Sequence, residues 1–204
     1  MPRNANPNLR SDLLVAAVKL LDARGAPDFS MRDLCAEVDY TVTAAYRVFR
    51  GRGHLLQAMQ LELFKGLAED LIAEPTGAST TEHITDLGSR FLAWAVAHPA
   101  RYRFMFHSTE PEALLDEADQ AMARAPLHYL EALLRQGAER GELEVEDASS
   151  LAVMLFATLH GLVSLYLAQR LDDATVADPV AFYDRWSSTW ISALLSEPRS
   201  RDQR

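Results

Sequence analysis

Two helix-start signals and the turn between them, from Ser30 to Phe49, leave this chain little freedom in how it folds. Asp33 follows Ser30 by three residues, the spacing at which each side chain satisfies the other's open backbone N–H in a capping box. Phe29 before the cap and Leu34 after it have the positions of a hydrophobic staple. A short helix over 31–38 follows. Asp39 belongs to the few residue types that tolerate a left-handed turn, and Thr41 then caps a second helix over 42–49. Two short helices joined by so tight a connection form a helix-turn-helix unit.

Elsewhere the apolar residues recur at helical spacing. Leu13, Leu14, Ala17, Leu20 and Leu21 predict a helix over 9–24, with Gly25 where a left-handed cap would end it and Pro27-Asp28 as a turn. After Arg50-Gly51-Arg52-Gly53 a long helix starts near His54 and runs toward Ile72, with Leu55, Leu56, Met59, Leu63 and Leu67 on one side. Residues 74–79, with Pro75 and Gly77, read as a linker. Further helices are predicted over 81–98, 99–107, 111–124, 126–140, 147–169 and 179–195, several opened by proline, which suits a first helical turn. No strand pattern or internal repeat interrupts this series. The predicted fold is therefore all-α with nine to ten helices. The predicted division is a three-helix helix-turn-helix domain over residues 1–55, a connecting helix over 54–72 and a larger helical domain over 73–204.

A net charge of −9 argues at first against a nucleic-acid partner. The average hides a split, because residues 1–55 carry eight Lys and Arg against six Asp and Glu, whereas the remainder carries twelve against twenty-three. Such asymmetry suits a chain with one end facing phosphates. The single cysteine, Cys35, forms no intrachain disulfide and reads as a buried thiol, consistent with a reducing, cytoplasmic setting. The N-terminal stretch lacks the apolar core of an export signal. The apolar run 151–168 approaches bilayer length, but Thr158, His160, Gly161 and Ser164 interrupt it, and a helix buried in a bundle or subunit interface explains it without a membrane.

Residues 30–56, SMRDLCAEVDYTVTAAYRVFRGRGHLL, resemble the DNA-binding domain of the TetR family. The resemblance rests on Ala36, Val38, Thr41, Tyr46, Phe49 and Arg52, with Leu55 and Leu56 completing the pattern. It implies that helix 42–49 enters the major groove of double-stranded DNA, with Arg32, Thr41, Val42, Thr43, Ala44, Tyr46, Arg47, Arg52 and His54 as contacts. The chemistry fits: Thr43 and Ala44 are small enough for close approach, Tyr46 and Arg47 reach phosphate, and Phe49 faces back as an anchor. Arg52 and His54 add donors at a helix N-terminus, which already favours an anion. Asp39 and Val42 depart from the family's usual glycine in the turn and lysine early in the recognition helix, so no operator sequence transfers from other members.

His160 to Leu167, LHGLVSLYL with its leading leucine, and Phe91 to Phe106 resemble the C-terminal domain of the TetR branch with a His-Gly pair in its penultimate helix. There the last two helices of two subunits pack together, which implies a homodimer interface of Leu155, Leu159, Leu162, Phe182, Trp186, Trp190 and Leu194. Phe182, Trp186, Trp190 and Leu194 independently make an apolar stripe at intervals of four. Candidate contacts for a small hydrophobic or aromatic effector are Trp94, Tyr102, Met105, Phe106, Met122, Tyr129, Phe156 and His160, although such residues at helical spacing are more often plain core. The six histidines show no tight pair with a cysteine partner, so neither a metal nor another cofactor is expected. No Ser-His-Asp order, nucleotide loop or paired-carboxylate motif suggests an enzyme. The reading is a ligand-responsive repressor. A helical small-molecule binding protein without a DNA role is the alternative.

Overall fold

The computed structural model describes residues 8–72, 79–107, 117–172 and 175–195, and these contain nine helices and no strand. In chain order they are α1 (Leu9–Arg24), α2 (Met31–Val38), α3 (Val42–Val48), α4 (Arg52–Leu71), α5 (Thr80–Ala97), α6 (Pro99–His107), α7 (Glu117–Glu139), α8 (Ala148–Leu167) and α9 (Pro179–Leu195). The chain divides by packing into two compact units, residues 1–67 with 98–123, and residues 68–97 with 124–204.

In the first unit, α1 turns Leu13, Leu14, Ala17, Leu20 and Leu21 inward and packs on α2, α3 and α6. The local signals read from the sequence explain the short helices. Ser30 Oγ accepts the Asp33 N–H at 3.2 Å while the Ser30 N–H donates to Asp33 Oδ2 at 2.9 Å, closing the capping box. These bonds and the nearby Arg24 hold the Asp33 carboxyl below its ordinary range. Phe29 and Leu34 are both buried. Gly25 ends α1 with φ at 75°, Asp39 ends α2 with φ at 53°, and Thr41 Oγ1 caps α3 by accepting the Ala44 N–H at 3.2 Å. Phe49 is an extended cap outside α3, and α4 begins at Arg52, ahead of His54. Two polar ties complete the unit. The Tyr40 hydroxyl donates to Asp12 at 2.7 Å, and Arg101 of α6 grips the Asp22 carboxylate of α1 at 3.0 and 2.7 Å.

In the second unit α5 packs against α9 and α8, which also touch each other. Ser79 and Glu82 make a second capping box, with Ser79 N–H to Glu82 Oε2 at 2.9 Å and Glu82 N–H to Ser79 Oγ at 3.3 Å. α5 and α9 approach closely at Gly88. A Cβ there would lie 2.1 Å from the Tyr183 hydroxyl oxygen, so only glycine lets that ring rest on α5. α8 buries Ala152, Leu155, Leu159 and Val163, while Val153, Met154 and Leu165 on its other side are exposed. By length and composition α8 could cross a membrane, yet one face of it is packed inside a helical unit.

One sequence expectation needs correction. Pro126 does not open a separate helix over 126–140; it lies inside the continuous α7. Proline removes one ladder bond and crowds the carbonyl four residues back. Here Pro126 is buried on the face of α7 that also buries Leu130, Leu133 and Leu134, and burying the apolar ring offsets part of that cost. Residues 111–116 of the predicted helix 111–124 and residues 74–78 of the predicted linker lie outside the described residues.

Removing the Ser30 cap by Ser30→Ala is expected to cost about 1 kcal/mol. Asp39→Val, which forces a β-branched residue into the left-handed region, is expected to cost about 1–2 kcal/mol. Urea denaturation checks both, and unchanged midpoints would contradict these roles.

Candidate nucleic-acid interface and effector cavity

α3 sorts its residues sharply between inside and outside. Ala45 is fully buried and Phe49 nearly so, and these anchor the helix on the unit's core. Thr41, Thr43, Tyr46 and Arg47 are exposed, Tyr46 by 50%, and Val42 and Ala44 are half-buried between the two sets. The outward surface therefore offers hydroxyls, a phenol and a guanidinium, the groups that hydrogen-bond phosphates and base edges. Arg32 on α2 and His54 in the first turn of α4 are exposed as well.

Arg52 is placed differently. Its Nε donates to the Phe29 carbonyl at 3.3 Å and its Nη2 to the Pro27 carbonyl, so the guanidinium fastens the start of α4 to the turn between α1 and α2. Arg10, which the sequence reading does not single out, stands over the Phe49 ring with its guanidinium carbon 5.7 Å from the ring centre.

A cavity of about 40 Å³ lies within the second unit. Its wall includes Ile84, Leu87, Gly88 and Phe91 of α5, Pro126, Tyr129 and Leu130 of α7, Leu155, Phe156 and Leu159 of α8, and Tyr183, Trp190 and Ile191 of α9. Ala68, Leu71 and Ile72 from the end of α4 also contribute. Of the effector contacts expected from the sequence, Tyr129 and Phe156 line this space. His160 lies beside the wall, its ring 4.3 Å from Phe156 and 5.0 Å from Phe91, and Trp94 is half-buried elsewhere on α5. Tyr102 and Met105 belong to the core of the first unit, and half-buried Phe106 there meets Phe64 edge-on at 5.3 Å and lies 5.3 Å from Tyr102. Met122 is 40% exposed.

The residues expected at a dimer interface also divide. Leu155 and Leu159 are buried within the chain and line the cavity, as does half-buried Trp190. Leu162 and Phe182 are half-buried and Trp186 is 53% exposed. The side chain of Leu194 lies outside the described residues. The inward stripe of α9 is Tyr183, Ser187 and Ile191, one residue on from the stripe that the aromatic spacing suggests. The outward face of α8, with Val153, Ala157, Gly161 and Leu165 at intervals of four, went unread because apolar residues surround that helix on every side.

Two family models match the chain. Residues 13–59 match that of bacterial regulatory proteins of the tetR family, and residues 84–188 match the tetracyclin repressor-like C-terminal domain. The chain belongs to the tetR family. Its members are ligand-responsive, DNA-binding regulators of transcription. Solved structures share the fold of this TetR-family chain. A protein of unknown function from Rhodococcus sp. RHA1 is 24% identical with a TM-score of 0.79, over 96% of this chain and 98% of that one. A tetR-family regulatory protein from Rhodococcus RHA1 is 16% identical with a TM-score of 0.64, over 93% and 96%. The regulator FadR from Bacillus subtilis, solved in complex with stearoyl-CoA, is 16% identical with a TM-score of 0.63, over 91% and 97%. No curated protein matches the chain by sequence.

One titratable pair borders the cavity of this TetR-family protein. The Tyr129 hydroxyl and His83 Nε2 are 3.2 Å apart, and their rings pack edge-on. Burial pushes the His83 pKa below its ordinary value, and the positive charge of Arg90 adds to that. The folded state thus holds His83 neutral more firmly than the unfolded chain does. Its contribution to stability is complete above about pH 6.5 and declines as pH falls below it. Between pH 7 and pH 5 the melting temperature is expected to drop. His83→Gln, which keeps a hydrogen-bonding tip without the titration, should flatten that slope; an equal slope in the variant would refute the assignment.

Proposed function

We propose that this chain is a homodimeric, cytoplasmic repressor that reads a palindromic operator and is released by a small hydrophobic or aromatic effector. Residues 1–55 supply the DNA contacts and residues 73–204 the effector and dimer functions. The observation that carries the reading is the two-sidedness of α3: Ala45 and Phe49 hold it from within, while Thr43, Tyr46 and Arg47 stand free on its outside. In this reading Arg32, Thr41, Val42, Ala44 and His54 complete the contact surface, and Arg52 acts by fixing the start of α4.

A single copy offers one such helix, whereas a palindrome presents two half-sites about 34–36 Å apart. The apolar exposure of the second unit supports a second copy of the chain as the partner. Val153, Met154, Leu165 and Trp186 are each about half exposed or more. All four lie on α8 and α9, and large exposed apolar side chains gathered on neighbouring helices suit an association surface.

The cavity supports the effector role. Its wall is almost wholly apolar, and at about 40 Å³ it is smaller than most ligand sites, which run roughly 300–1,000 Å³. An occupant must therefore displace wall residues from α4, α5, α8 or α9. Binding to the displaced arrangement shifts the population between DNA-competent and DNA-incompetent dimers.

Operator selection from random duplexes, followed by fluorescence anisotropy, tests the proposal. A palindromic site should emerge, bound with an affinity that falls steeply as salt rises. Tyr46→Ala and Arg47→Ala should each weaken binding about tenfold or more, corresponding to the roughly 1–3 kcal/mol of a good contact, with little change in melting temperature. Leu165→Arg should yield a monomer by sedimentation with a much weakened operator affinity. Failure to retain any duplex at low salt, or a monomer that binds as well as wild type, would overturn it.

A further inference from the structure

The first turn of α1 carries a guanidinium that the packing of the described residues positions without using. Arg10 is exposed, and its guanidinium carbon stands 5.7 Å from the centre of the Phe49 ring, which is itself 3% exposed. Among the described residues nothing hydrogen-bonds or ion-pairs with Arg10, and Glu62, which lines the same groove, makes no salt bridge to it. Arg52 and Arg101 of the same unit differ, since one is bound by the Phe29 and Pro27 carbonyls and the other by the Asp22 carboxylate. Attraction to the ring fixes where the Arg10 cation sits, yet it gives its N–H donors no oxygen to bond.

Two contacts place that group beside α3. Tyr40, just before the Thr41 cap, is tied through its hydroxyl to Asp12, and Phe49, just after Val48, lies under Arg10. Residues 10–12 of α1 therefore run alongside α3, and Arg10 stands at the end where Arg47 is exposed. A helix seated in a major groove has a sugar–phosphate strand on each side, so a donor carried beside that helix meets phosphate and not a base edge. A guanidinium matches two phosphate oxygens at once, and one already located before contact loses less freedom on binding.

We propose that Arg10 grips a backbone phosphate flanking the half-site read by α3, with the Phe49 ring as the platform that aims it. Phe49 then serves both sides of the unit: inside it anchors α3, and at its outer edge it positions a cation supplied by α1. The contact strengthens binding to any duplex without a sequence preference, and it fixes the register of α3 through a second helix. The proposal rests on the reading of α3 as the helix that meets DNA.

Fluorescence anisotropy of the full chain across a salt series tests it, on the duplex recovered by operator selection and on a scrambled duplex of equal length. Arg10→Gln should weaken both complexes by a similar factor, about three- to tenfold at moderate salt, with the melting temperature unchanged. It should also reduce the slope of log affinity against log salt by about 1 for each subunit bound. Arg10→Lys should keep the slope, because the charge remains, but recover only part of the affinity, because an ammonium neither stacks as a plane nor bonds two oxygens in parallel. Lys19, exposed and about 13 Å further along α1, is the control, and Lys19→Gln should change neither quantity. In a Phe49→Leu background Arg10→Gln should cost about twofold or less. An unchanged salt slope in Arg10→Gln, or an equal loss in Lys19→Gln, would remove the phosphate contact while the reading of α3 stands. Full affinity in Arg10→Lys, or an undiminished cost in the Phe49→Leu background, would remove the platform; should Phe49→Leu not fold, the lysine variant decides that point. Should Tyr46→Ala and Arg47→Ala bind as tightly as wild type, or no duplex be held at low salt, the reading of α3 falls and takes this proposal with it.

Discussion

Helices of seven and eight residues do not persist in water on their own, because nucleation costs more than so few hydrogen bonds return. α2 and α3 exist because α1 gives each an apolar surface to bury against: Met31, Leu34 and Cys35 from one, Ala45 and the adjoining Phe49 from the other. The angle between them is then set by backbone chemistry. Asp39 in the left-handed region turns the chain, the boxed Ser30 and the capped Thr41 fix where each helix starts, and Arg52 ties the entry of α4 to the carbonyls of Pro27 and Phe29. Everything proposed for the outer face of α3 depends on that inner burial, since a surface that reads DNA must be rigid before contact.

The second unit solves a different packing problem. Its helix packing runs among α5, α8 and α9, and a close approach of α5 and α9 is made possible by a glycine facing a tyrosine. Close packing there coexists with a cavity whose wall includes that same glycine and tyrosine beside Leu87, Phe91, Leu155 and Ile191. A void in an apolar interior forfeits contacts and so weakens the fold locally. In the proposed reading, a molecule that enlarges and occupies it would replace those contacts, and so would bind one arrangement of the helices better than the other. The polar periphery is held separately. Glu142, whose carboxyl is brought down to about 2 chiefly by the Thr80 hydroxyl and then by Arg140, closes the far end of α7 onto the start of α5.

The DNA-binding unit was the most legible part of the sequence because its determinants are local. A capping box, a left-handed cap and an N-cap each span four residues or fewer, and each is formed where the residue types predict it. The cavity lining was far less legible. Tyr102, Met105 and Phe106 look like pocket residues by chemistry, yet they lie in the first unit, where Phe106 meets both Phe64 and Tyr102. Gly88 and Tyr183 carry no signal in isolation, since their meaning arises only from facing each other across two helices. On α9 aromatic residues occupy adjacent positions, 182 and 183, so spacing alone fits two stripes and cannot choose the phase. Proline rules misled at Pro126 because they weigh a lost hydrogen bond without knowing that the ring is buried.

By itself the sequence determined the all-helical class, the boundaries of α1 and α2, the start of α3 and which residues of α3 face outward, because helix periodicity and capping are interactions between near neighbours along the chain. Only the tertiary structure decided which face of α8 and α9 is inside, where the cavity lies and that Arg52 is engaged within the fold. Those outcomes depend on contacts between segments far apart in sequence, and a helix apolar on all sides, such as α8, gives no local preference from which they could be inferred.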